Sequence, residues 1–193
     1  MNLLICGDSF AADWTVKYSG EGWPNMMSRI HNVTNLAQAG CGEYKVLKQL
    51  ESVDLLSFDK IIVSHTSPYR IHVEHHPIHH NDPLHKNCDL IYTDIKKHAL
   101  VDSSLKPMIE YFEKYFDFEH AKYMHHLLCE KVMHTLAPVN NKVVHVSVID
   151  WEGLYEFPNM LKFSHLFKNK QGSLNHLDPN DNVLVFNKIN NLL

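Results

Sequence analysis

The sequence predicts an α/β domain, a three-layer α/β/α sandwich built on a central parallel sheet. Two observations carry this. Short apolar runs alternate with stretches of helical spacing along the whole chain, the pattern of parallel strands covered by helices on both faces. The chain also has 193 residues, 45% hydrophobic and 21% charged, enough for one ordinary domain to bury a sizeable core without disulfides or metal. A single domain spanning 1–193 is therefore expected, with no internal repeat or low-complexity tract.

The first strand is Leu3-Leu4-Ile5-Cys6, and it ends in Gly7-Asp8-Ser9. A helix starts near Gly22-Trp23-Pro24 and runs to about Ile30, since proline in a first turn loses no hydrogen bond. Val33 to Leu36 reads as the second strand. Glu43 to Leu50 reads as a helix, with Tyr44, Leu47 and Leu50 spaced three apart. Lys60 to Val63 is the third strand. From about residue 65 to 103 the chain becomes irregular and rich in His, Asn, Asp and Pro, longer than an ordinary connection, so a lid or insertion is expected here.

From Ser104 to about Ala137 the apolar residues follow helical spacing, with a bend at Phe116-Asp117-Phe118. The stripe of Phe112, Phe116, Tyr123 and their neighbours is read as core contact rather than a ligand box. Lys142 to Val148 supplies another strand, ending at Ile149-Asp150-Trp151. The last helix is clearly punctuated: Asp178 at the cap, Pro179 in the first position, and Asp181 near the positive end of the dipole.

Composition excludes several classes. A formal charge of −4 gives no reason to expect nucleic acid, which is normally met by concentrated Lys and Arg. The opening apolar stretch is too short for a secretory signal and no segment is long enough to span a bilayer, so no membrane role and a cytoplasmic location are expected. Cys6, Cys41, Cys88 and Cys129 are widely spread without a Cys-x-x-Cys pair, as reduced core thiols would be. Histidine is unusually abundant, 16 in all, so stability and solubility should depend on pH around 6.

Function is read from Ser9 and His176. A hydroxyl just beyond a buried parallel strand sits at the rim where α/β proteins bind ligands, and it becomes a nucleophile only if a base removes its proton. His176, in Ser173-Leu174-Asn175-His176-Leu177-Asp178, lies just ahead of the last helix and is the candidate base. With the intervening Asn35-Leu36-Ala37-Gln38-Ala39-Gly40, these blocks resemble the SGNH hydrolases, also called the GDSL esterase family.

The resemblance implies a flavodoxin-like sheet and ester hydrolysis through an acyl-serine. Short-chain or carbohydrate acetyl esters would be the substrates, and no cofactor is needed. It also implies oxyanion donors at the Ser9 and Gly40 amides. A third donor would come from the block His65-Thr66-Ser67-Pro68, either Ser67 or Thr66, where the family has asparagine. The family's last block reads Asp-x-x-His, whereas Ser173 stands three before His176, so a Ser-His dyad is expected. A backbone carbonyl, the Ser173 hydroxyl, or a carboxylate from elsewhere would then orient the ring.

Two rival readings remain. One is an SGNH-fold relative with weakened catalysis that binds carbohydrate or another partner. The other is a metal-dependent enzyme using His72, His75, His76, His79, His80 and His85, with Glu74 and Asp82 among them. That segment lacks His-Glu-x-x-His, and Pro77 interrupts any helix, so no metal ligands are assigned. Arg70 is read as a surface salt bridge rather than an anion site.

Overall fold

The computed structural model describes residues 1–150, 154–168 and 173–193. Trp151, expected at the end of a strand, lies outside them. The sheet has five strands: β1 (Asn2–Cys6), β2 (Asn32–Asn35), β3 (Lys60–Ser64), β6 (Val143–Ser147) and β7 (Leu161–Lys162). They lie in the order β2-β1-β3-β6-β7, and every pairing is parallel. The short β7 was not anticipated, because two residues carry no periodicity to read.

Alternation within β1 builds both sides of the sheet, since successive side chains point to opposite faces. Leu3 and Ile5 pack with Trp23 and Met27 of α1 (Trp23–Ser28) and with Val185 and Ile189 of α6 (Pro179–Asn190). Leu4 and Cys6 face the opposite way. They meet Val46 and Leu50 of α2 (Glu43–Glu51) and Cys129, Val132 and Leu136 of α5 (Phe118–Leu136). The three layers expected from the sequence are present, and all four cysteines are buried and unpaired with one another. No helix among the described residues is long and apolar enough to cross a membrane.

The segment after β3 is more ordered than its composition implies. Arg70–Ile71 (β4) pairs antiparallel with Leu90–Ile91 (β5), which leads into α3 (Tyr92–Ala99). Then follows α4 (Lys106–Lys114), and Leu90, Ile95, Leu105 and Phe112 form a small core of their own. The insertion thus has its own apolar anchor beside the main sheet.

β1 lies between β2 and β3, so the chain leaves to β2 on one side and then crosses to β3 on the other. The crevice beyond the carboxyl ends of β1 and β3 is where open parallel sheets bind ligands. Ser9 follows β1 directly.

Candidate active site

The turn carrying Ser9 is held from several sides. The buried Gln49 side chain on α2 accepts the Gly7 N–H at 2.7 Å and donates to the Gly7 carbonyl at 3.1 Å, as a neighbouring strand would. Asp8 is almost wholly buried. Its carboxylate accepts from the Phe10 amide and the Ser64 hydroxyl, each at 3.1 Å, and faces the Arg70 guanidinium at 3.3 Å. The Ser9 carbonyl accepts the Trp14 indole N–H at 2.8 Å. These bonds leave the Ser9 side chain as the free element of a fixed turn.

His176 comes from a tight two-residue loop. Leu174 and Leu177 exchange both backbone hydrogen bonds, at 3.1 and 2.9 Å, and Asn175 and His176 between them have φ of 52° and 61°. Two successive left-handed residues across such a bridge form the type I′ turn, which asparagine favours and histidine tolerates. Asn175 anchors the loop by donating to the Ala12 carbonyl at 2.8 Å. It fits because position 22 is glycine: a Cβ there would stand 1.9 Å from the Asn175 Oδ1.

The loop sets His176 Nε2 2.8 Å from Ser9 Oγ. Phe167 stacks on the ring at 5.1 Å between centroids, and Trp14 meets it edge-on at 5.3 Å. Burial pushes the imidazole down to about 4, the Asp8 carboxylate opposes that shift, and Arg70 and His85 add to it. The ring is neutral at pH 7, so Nε2 can accept the Ser9 proton. Among the described residues no carboxylate pairs with His176. The buried Ser173 hydroxyl has no hydrogen-bond partner among the described residues, Asp178 stands at the cap position of α6, and Asp150 lies near Ser164 and Lys162.

Ser9 and His176 open into a cavity of about 810 Å³ that also exposes Asp8, Ser67 and Arg70. Of the two hydroxyls the sequence left open, Ser67 lines this cavity and Thr66 does not. The Ser67 Oγ accepts from the Tyr69 amide at 3.2 Å, which leaves its O–H to donate elsewhere. Gly40 has φ of 77° and packs against Cys88; it is not among the residues that line the cavity. Arg70 is corrected from the surface salt bridge expected: its side chain is only 9% exposed and its partner Asp8 1%, and it also donates to the Cys41 carbonyl.

The aromatic stripe serves two purposes where one was expected. Phe112 and Phe116 pack in the small core of the insertion and also wall the cavity, with Phe118, Ile91 and Phe167. Sequence reasoning missed this wall, and it missed Gln49 and Asn175. For Gln49 a signal existed, a polar residue set beside the buried face of an amphipathic helix. No protein-family model matches the chain, and no curated protein does.

Proposed function

We propose that the protein is a serine ester hydrolase that works through an acyl-serine, with Ser9 as nucleophile and His176 as general base. The observation that carries this reading is the 2.8 Å contact between Ser9 Oγ and a neutral His176 in the lining of the cavity. His176 Nε2 takes the hydroxyl proton as Oγ bonds the ester carbonyl carbon. The carbonyl oxygen becomes an oxyanion, stabilised by the Ser9 amide and the Ser67 hydroxyl. When the C–O bond to the leaving group breaks, Nε2–H returns the proton to the departing alkoxide. Water then repeats the sequence on the acyl-serine and releases a carboxylic acid. The family resemblance and the β1 placement of the serine support the same chemistry.

The cavity bears on the substrate. Its walls are largely hydrocarbon and aromatic: Ile91, Phe112, Phe116, Phe118, Val148 and Phe167. Such walls suit an apolar acyl or alkyl group better than an acetylated sugar, which needs polar partners for its hydroxyls. A binding module with weakened catalysis is favoured by one observation, the lack of a carboxylate partner for His176 among the described residues. A fluorophosphonate probe separates the two. Labelling that disappears in Ser9→Ala supports the hydrolase; no labelling of folded wild-type protein overturns it. In a p-nitrophenyl ester series, kcat/KM should rise from acetate to octanoate. Phe116→Ala should lower the octanoate value about 10-fold, the loss of one apolar contact, and leave acetate little changed.

A further inference from the structure

The histidine-rich insertion brings donor atoms together in a way its sequence did not reveal. Asp94 and His98 sit four residues apart on α3, so they share one helical face. His79, from the loop between β4 and β5, reaches the same place. Its Nε2 lies 2.8 Å from Asp94 Oδ2, and His98 Nε2 lies 3.7 Å from Asp94 Oδ1. The donor atoms of His79, Asp94 and His98 all fall within 4.8 Å of one another. Ligand atoms bonded to a tetrahedral zinc at about 2.0–2.2 Å stand roughly 3.3–3.6 Å apart, so only small side-chain movements separate this group from a coordination shell.

A second observation singles out this cluster. His76 has a fully buried ring stacked on His79 at 4.8 Å, and its Nε2 has no hydrogen-bond partner among the described residues. Its Nδ1 accepts the amides of Ile78 and His79, each at 3.2 Å, so the ring proton belongs on Nε2. That N–H stands 4.0 Å from Asp94 Oδ2, beyond hydrogen-bond reach. A buried donor left unmade is costly, and a carboxylate drawn inward by a metal would accept it, as outer-shell groups commonly orient metal ligands. A further group, His76 with His79 and Cys88, shares His79 with this cluster, and the buried group of Glu43, His125 and Cys129 is already satisfied: Glu43 by His65 and Thr66, Cys129 by His125.

We propose that His79, Asp94 and His98 bind one zinc-class divalent ion, with His76 as the outer-shell donor to Asp94. Water fills the open position, since all three ligands are partly exposed. The ion ties the loop before β5 to α3, and so braces the insertion whose Ile91 and Phe112 wall the cavity. The site is independent of the esterase reading.

Zinc chloride titrated into the metal-free 193-residue chain, followed by calorimetry, should give one saturable site per chain and a higher thermal midpoint. Asp94→Asn, which keeps the side-chain shape, and His98→Ala should each weaken zinc at least 10-fold. His80→Ala, exposed in the same segment, should leave it unchanged. Equal affinity in all variants, or uptake that never saturates, overturns the proposal. Cobalt(II) added to the wild-type protein gives a test that needs no variant: the His79 and His98 imidazole resonances should shift strongly while that of His31 stays put. Unshifted His79 and His98 signals overturn it equally.

Discussion

His176 adopts a left-handed backbone that a non-glycine residue holds only when its surroundings enforce it, at a cost of order 1–3 kcal/mol. The enforcement comes from the Leu174–Leu177 bridge and from Asn175, and its result is an imidazole aimed at Ser9. Replacing His176 with alanine should lower kcat at least ~10³-fold in an ester assay, because the serine then has no base. Since burial holds this imidazole down to about 4, it stays in its base form through mildly acid solution. The acid limb of kcat/KM should therefore fall well below pH 6.5, and a limb centred at 6.5 would contradict the buried position of the ring. Arg70 answers to stability as well. Arg70→Met strands the buried Asp8 carboxylate and should cost about 3–5 kcal/mol in urea unfolding, while Asp8→Asn in the same chain should recover much of that loss.

At the scale of elements, strands and helices that fill the two core faces were legible because each repeats a period. β1, α2 and α6 appear within a few residues of where alternation and capping put them. Ser9 and His176 were legible too, as punctuation at the ends of such elements. What stayed hidden depends on distant pairs: Gln49 gripping Gly7, the β4–β5 pairing, and the aromatic wall brought over the sheet edge. Local pattern encodes a residue's own face, never its partner across the molecule. Gly40 illustrates the difference. The resemblance offers it only as an oxyanion donor, and the structure adds that a Cβ there would stand 2.5 Å from the Cys88 Cβ at a φ of 77°. Gly40→Ala should thus destabilise by more than ~1 kcal/mol in thermal or urea unfolding, since both the backbone and the space forbid a side chain.

For the whole molecule, the abundance of histidine becomes a statement about stability once burial is known. Burial is the main cause of depressed values for His145, to about 3, and for His76 and His176, to about 4; it also lowers His85 and His125. In the unfolded chain each titrates near ~6.5. Between 6.5 and about 4 the unfolded state therefore binds protons that the native state refuses. The sign follows directly: stability is intact above ~6.5, falls as pH drops through this window, and the loss from each group is complete only below its native value. Glu43 acts in the same direction at the lower end. Burial favours its neutral form, but His65, His125 and the Thr66 amide outweigh that and hold its carboxyl below the usual range, so its contribution is lost under acid. Each buried imidazole removes up to ~1.4 kcal/mol per pH unit, against a total of ~5–15 kcal/mol for an ordinary domain. Urea midpoints for the metal-free protein should be flat from pH 8 to 7 and drop steeply between 6 and 4.5. A midpoint that held constant down to pH 5 would mean that these rings take up protons while still folded.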